Sequence, residues 1–86
     1  LEPDNATAQR EMGNLLFLTG SYDLARNFYV RAIQRNPNDR AALGYLGCAL
    51  VRLGRAAEAQ AFLRRAGSGA WSGCAQQAIP APPPGP

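Results

Sequence analysis

Residues 8–32 read AQREMGNLLFLTGSYDLARNFYVRA, and residues 42–66 repeat the same pattern as ALGYLGCALVRLGRAAEAQAFLRRA. The two stretches align at an offset of 34 residues. Nine pairs are identical at that offset: Pro3/Pro37, Ala8/Ala42, Gly13/Gly47, Leu16/Leu50, Gly20/Gly54, Ala25/Ala59, Phe28/Phe62, Arg31/Arg65 and Ala32/Ala66. A fixed period of this length is typical of repeat proteins, in which each unit is one supersecondary element stacked on the next.

Each unit predicts two antiparallel helices. A first helix can be capped by Asp4 or Asn5 and runs through Leu18, because apolar residues recur in it at helical intervals and a glycine follows its end. A second helix begins after Ser21 and runs to about Arg35. It stops before an Asn-Pro pair, since proline disfavours a helical residue before it. The same two helices then begin again.

Small residues recur where the two helices of a hairpin would cross. These are Gly13 and Ala25 in the first unit, and Gly47 and Ala59 in the second. Glycine inside a helix costs about 0.5–1 kcal/mol relative to alanine, so its recurrence indicates a packing requirement. We therefore interpret these four residues as architecture and not as a binding site.

The composition removes most catalytic chemistry. The chain has 86 residues with no His and no Lys, and all nine of its basic residues are Arg. It cannot build a Ser/His or Cys/His pair, a P-loop lysine, a Schiff base or a typical zinc site from its own residues. We therefore expect no enzymatic activity and no cofactor or metal.

The charge pattern indicates solvated helix faces and not a nucleic-acid surface. The net charge is +3, but the arginines are spread along the chain and six acidic residues accompany them. No apolar run approaches the ~20 residues that span a bilayer. We expect a soluble protein, cytoplasmic or bacterial periplasmic, whose targeting segment would lie upstream of residue 1.

The chain has two cysteines, Cys48 and Cys74. They are too few and too far apart for a metal cluster or a disulfide scaffold. The sequence favours two separate thiols, one of them packed in the core, and leaves a single bridge open.

The whole pattern resembles the tetratricopeptide repeat family. In the first unit the family's motif is matched by Met12-Gly13, Leu16, Gly20-Ser21-Tyr22, Ala25, Tyr29, Ala32 and Pro37. In the second it is matched by Leu43, Leu46-Gly47, Leu50, Gly54, Ala59, Leu63 and Ala66. Gln9 replaces a large apolar residue, Ala56 the turn aromatic and Trp71 the closing proline. The resemblance implies an all-α superhelix of antiparallel helical hairpins.

The resemblance also implies an order of units along the chain. Residues 1–5 look like the end of a preceding repeat. Residues 6–39 form one repeat and residues 40–66 a second, incomplete at its end. Because such arrays usually need about three repeats for stability, we expect this chain to be the C-terminal part of a longer solenoid.

The pattern stops after the second unit. Residues 67–79 predict a linker that can carry a capping helix, with Trp71 and Ile79 covering the open end of the second hairpin. A partner-binding motif in this stretch is the alternative. Residues 80–86 are proline-rich, which favours polyproline II or disorder over helix or sheet.

In this family the first helix of each hairpin lines a concave groove that contacts partners. The resemblance therefore implies a set of partner-binding residues: Thr7, Arg10, Asn14, Phe17, Tyr45, Cys48 and Arg52, with Leu18, Ala41 and Gly44 beside them. Arginine can grip a carboxylate and aromatic residues supply contact area, although all these positions are also compatible with packing or solvation. Arg10 and Asn14 match the first helix of the chaperone-binding carboxylate clamp. Tyr45 stands where the clamp's second helix needs Asn, so we expect no clamp.

The function implied by the resemblance is a non-catalytic scaffold or adaptor. Its groove would bind a peptide or helix of a partner protein within a multi-protein assembly. One alternative is a structural subunit of a bacterial envelope, pilus or secretion complex that contacts partners through its convex face or tail. Another is the regulatory repeat domain of a longer enzyme. Contact with further repeats of the same protein is compatible with each.

Overall fold

The computed structural model describes residues 5–77, and the side chains of residues 5–74. Within this range the chain forms five helices: α1 (Ala6–Leu18), α2 (Tyr22–Arg35), α3 (Arg40–Arg52), α4 (Ala56–Ala66) and α5 (Ser72–Gln77). None of the described residues is in a strand, which confirms the all-α prediction. None of the helices in this range is both long and apolar enough to pass through a bilayer. Ile79, the proline-rich tail and most of the predicted remnant of a preceding repeat lie outside the described residues.

The ends of the first helix are those predicted from the sequence. The side chain of Asn5 caps α1 by accepting the backbone N–H of Ala8 at 2.7 Å. Gly20 has φ +85°, a left-handed conformation that glycine adopts without steric cost. The Ser21 backbone N–H then donates to the Leu16 carbonyl at 2.9 Å, which closes the helix end. Ser21 precedes α2 as predicted, but its side chain makes no capping hydrogen bond.

Each hairpin packs through the glycine that recurs in its first helix. A methyl group built on Gly13 would lie 2.8 Å from the ring of Tyr29, and one on Gly47 would lie 2.5 Å from Cγ of Leu63. Carbon atoms in well-packed interiors stay about 3.5–4.0 Å apart. Both glycines therefore let the second helix of the hairpin approach closely, as the 34-residue recurrence predicted.

The third helix is the centre of the fold. It packs against α4 of its own hairpin, against α2 of the preceding hairpin and against α5. Eight of its 13 residues are buried, whereas only two of the 13 residues of α1 are. The two hairpins are therefore stacked in series around α3, as expected for a helical repeat.

The fifth helix does not pack where the first helix of a third repeat would lie. Helix α3 packs against the helix that precedes it, α2, as well as against α4, whereas α5 follows α4 but packs mainly against α3. Trp71, immediately before α5, is buried and belongs to the core cluster around α3. The chain therefore turns back onto the first helix of the second hairpin.

Candidate functional site

A pocket of about 260 Å³ opens between the two hairpins on the side of their first helices. Its walls are Asn14, Phe17 and Leu18 of α1, Tyr29 of α2 and Tyr45 of α3. We call it the hairpin pocket. All of these residues except Tyr29 belong to the predicted groove surface, and the structure brings them together.

Tyr29 links this pocket to the core. Its side chain is fully buried, and its hydroxyl donates a hydrogen bond to Oδ1 of Asn14 at 2.6 Å. Burial, together with the nearby Tyr45 and Glu11, raises the pKa of Tyr29 above its usual range. The phenol therefore stays protonated and holds the Asn14 amide in place. In the sequence, Tyr29 is identified only as a motif position of the repeat and not as a groove residue. The signal for a role in the pocket is its hydroxyl, because the equivalent residue of the second unit is Leu63.

Aromatic rings continue from the hairpin pocket towards α5. Tyr29 and Tyr45 are stacked with their ring centroids 6.3 Å apart. Tyr45 meets Trp71 edge to face with 6.0 Å between centroids, and Phe17 meets Tyr22 in the same way at 5.2 Å. Such pairs contribute about 0.5–1.5 kcal/mol each beyond their buried area. These ring contacts extend the apolar wall of the hairpin pocket from α1 to Trp71.

Arg10 is engaged within the chain. Its Nη1 lies 2.8 Å from Oδ2 of Asp39, and that carboxylate is only 7% exposed. Oδ1 of Asp39 accepts the backbone N–H of Ala42 at 3.1 Å and so caps α3. Arg10 therefore links α1 to the start of α3 and is paired with a carboxylate of its own chain.

Cys48 has no exposed surface. It forms a disulfide with Cys74 of α5, although the sequence favoured two separate thiols. The pairing depends on the return of α5 to α3, which the repeat pattern does not specify. The structure therefore removes Cys48 from the predicted contact surface.

The other predicted groove residues are divided between solvent and the core. Thr7 and Arg52 are exposed, at the start of α1 and the end of α3, and neither lines the hairpin pocket. Ala41 is half-buried, and Gly44 is buried beneath Trp71. Among residues 5–77 there is no group of His, Cys, Asp or Glu side chains that could hold a metal ion.

The comparisons with known proteins agree with this architecture. A model of the tetratricopeptide repeat family matches residues 16–68, more than half of the chain. The TPR repeat-containing protein PA4667 of Pseudomonas aeruginosa is 39% identical over 66 residues, which make up 76% of this chain and 11% of that protein. The chain thus spans a small part of the relative's length, and no solved structure matches it. With its repeated glycines and stacked helical hairpins, the chain belongs to the tetratricopeptide repeat family.

Proposed function

We propose that this chain is a non-catalytic binding segment that holds a peptide or helix of a partner protein against the hairpin pocket. Repeats of this family generally mediate protein–protein interactions. The observation that supports the proposal is the pocket itself, where Phe17, Leu18 and Tyr45 surround a concave apolar surface with one amide, Asn14, in its wall.

The size of the pocket favours a side chain over a small molecule. Pockets that enclose drug-sized ligands measure roughly 300–1,000 Å³, and this one is smaller, at about 260 Å³. One large apolar side chain of a partner segment would fill it. Burying such a side chain contributes about 1.5–3 kcal/mol, which makes it an anchor for a longer contact.

Asn14 supplies direction to this contact. Because its Oδ1 accepts the Tyr29 hydroxyl, its amide nitrogen can donate to a backbone carbonyl of the partner. One fixed polar group in an apolar pocket orients a ligand more than it adds affinity. We therefore expect an extended or helical segment with a large apolar residue next to a free carbonyl.

The experiment is selection of peptides from a display library on the immobilised chain, followed by titration calorimetry of the selected peptide. Phe17→Ala should weaken binding at least about tenfold, as truncation of an anchor contact usually does, whereas Asn14→Ala should weaken it less, because this amide mainly orients the segment. Leu24→Ala is the matched control, since Leu24 is a 48% exposed apolar residue of α2 outside the pocket. Binding that survives Phe17→Ala and is lost with Leu24→Ala would place the contact on the other face.

A second surface supports contact with a further repeat. Met12 and Leu15 on α1 are 43% and 60% exposed, whereas their equivalents on α3, Leu46 and Ala49, are 1% and 0% exposed. Helix α3 packs against α4 and also against α2 of the preceding hairpin, whereas the described residues place no such helix before α1. A preceding repeat would place its second helix there and cover Met12 and Leu15.

Insertion of a second copy of residues 6–39 directly before Ala6 keeps the 34-residue period and tests this second proposal. The added unit should raise the thermal midpoint, because stability in repeat arrays grows with each interface between neighbours. The same duplication with Met12→Asp in the original unit is the control and should lose the gain. An unchanged midpoint for the first duplication would reject the contact.

A further inference from the structure

The inner surface of the second hairpin is occupied by the chain itself. Trp71 lies so close to α3 that a methyl group at Gly44 would overlap its indole ring. Gly44 and Cys48 are groove positions by the resemblance, and Trp71 and Cys74 cover them. We call Trp71 together with α5 the cover segment.

The place where Trp71 sits is built to hold an aromatic ring. Gly44 has no side chain, so the indole lies directly against the backbone of α3. The Tyr45 ring meets the indole edge to face with 6.0 Å between centroids. The Arg40 guanidinium carbon lies 5.7 Å from the indole centroid. An arginine over an aromatic ring is attracted to the π face. The indole Nε1 donates to the carbonyl of Gly67 at 2.7 Å, within its own segment. The surface of α3 therefore recognises the ring and not its polar atom, so another aromatic side chain would fit it.

The cover segment has little helical stability of its own. Helix α5 has six residues, and isolated helices shorter than about 12–15 residues are marginal in water. The contacts of Trp71 and the Cys48–Cys74 disulfide hold it on α3. The turn before it is fastened by Arg40, which donates to the Ala66 carbonyl at 2.7 Å and to the Ser68 carbonyl at 2.6 Å.

We propose that the surface of α3 beneath Trp71 is a binding site for an aromatic side chain of a partner, and that the Cys48–Cys74 disulfide keeps this site closed. A dithiol reductant opens it: the S–S bond breaks, each sulfur takes up one electron and one proton, and the reductant becomes a disulfide. Trp71 is then held by non-covalent contacts alone and exchanges with the partner's ring.

This inference extends the proposed function in one respect. Tyr45 lines the hairpin pocket and also contacts Trp71, so the two sites are adjacent. A partner segment anchored in the hairpin pocket could place its next aromatic residue on Gly44. The aromatic site can nevertheless be tested without any partner.

The first test uses Trp71 as its own reporter, since it is the only tryptophan of the chain. On reduction with dithiothreitol, its emission maximum should move to the red and its acrylamide quenching constant should rise at least about twofold, as local opening exposes the ring. Wavelength and quenching are read instead of intensity, because a disulfide next to an indole changes its intensity directly. Cys74→Ser should match the reduced chain and ignore the reductant. Unchanged emission and quenching in a chain whose mass has risen by two hydrogens would overturn the closing role of the disulfide.

The second test supplies the ring in trans. The probe is a fluorescein-labelled peptide of residues 66–74 with Ser in place of Cys74, and its affinity is read by anisotropy. It should bind the Trp71→Ala/Cys74→Ser double variant at least about tenfold more tightly than the oxidised chain, where the cis segment competes at high effective concentration. The peptide with Ala in place of Trp is the control and should not bind.

Two outcomes would overturn the aromatic site: no binding to the double variant, or equal binding to the double variant and the oxidised chain. Phe17→Ala disables the hairpin pocket but should leave the affinity of this peptide unchanged. The display-selected peptide therefore tests the hairpin pocket, and the labelled peptide tests the aromatic site, so that either proposal can fail without the other.

Discussion

The two hairpins share one pattern of residues but differ in what packs on them. The close approach of their helices is the same, at Gly13 on Tyr29 and at Gly47 on Leu63. Their first helices differ: α1 has two buried residues and α3 has eight. Local sequence thus determines how the two helices of a hairpin pack together, whereas the number of buried residues in its first helix depends on the neighbouring helices.

The inner faces differ in the same way. In the first hairpin, Phe17 and Leu18 line an open pocket. In the second, Gly44 lies beneath Trp71, and Cys48 is bonded to Cys74. The first hairpin therefore presents its surface, and the second is closed by a covalent bond. The following changes test that contrast in order of expected size.

The largest effect should come from breaking the disulfide of the second hairpin. The bond joins residues 26 apart in sequence, and closing a loop of that length stabilises a fold by about 3.5 kcal/mol on the chain-entropy view. Urea unfolding with and without dithiothreitol measures the loss. The Cys48→Ala/Cys74→Ala variant should unfold at one urea concentration under both conditions, and equal midpoints for the native chain would show that the bond does not stabilise it.

The next largest contrast should separate two equivalent positions in the first helices. Leu46→Ala should cost about 3 kcal/mol, because it leaves a cavity where a fully buried side chain stood. Met12→Ala should cost less than about 1 kcal/mol, since Met12 is already 43% exposed. Urea unfolding of both variants gives the difference. Equal losses would mean that the α1 face is covered in solution.

The two helix caps should differ by a smaller amount. Asn5→Ala removes one capping hydrogen bond and should cost about 1 kcal/mol. Asp39→Ala removes a cap and the partly buried pair with Arg10, so about 2 kcal/mol is expected. In an Arg10→Ala background, the cost of Asp39→Ala should fall to that of Asn5→Ala. A cost that stays unchanged in that background would show that the Arg10 pair contributes nothing.

The smallest effect should appear in alkaline solution and belong to the first hairpin. Burial raises the pKa of Tyr29 in the folded chain above its unfolded value of about 10. The unfolded chain therefore loses this proton first, and the stability that Tyr29 contributes is present below about pH 10 and falls as the pH rises further. Since the chain has no Lys, few other groups obscure the change. Tyr29→Phe should flatten the decline in urea midpoint between about pH 9 and 11, and an equal decline in both chains would contradict this origin.

The helices and their close packing could be predicted from the sequence because both depend on local spacing. Asn5 and Gly20 mark the ends of α1 within the helix itself, and the recurrence of Gly13 as Gly47 reports a contact inside one hairpin. Each of these signals lies within a single 34-residue unit. The resemblance to known repeats then supplied the order in which the units stack.

The candidate site could be predicted only in part. The resemblance placed Asn14, Phe17 and Tyr45 on the groove side of the first helices, and the structure brings them together in the hairpin pocket. The Cys48–Cys74 bond and the placement of Trp71 could not be found in this way, since the repeat ends at Ala66 and its period no longer says where the next helix lies. The engagement of Arg10 was missed because Asp39 is 29 residues away in sequence and approaches it only once the hairpins stack.

The packing of Trp71 on α3 affects the register in which an elongated ligand can lie along the repeats. A strictly repeating surface offers similar surroundings at every unit, so an elongated ligand can slide along it by one unit and still fit. The indole ring packs over Gly44 at one end of this surface, and the Cys48–Cys74 disulfide holds its segment there. We therefore expect the ring to act as a stop that leaves the proposed partner segment only one register on the two hairpins.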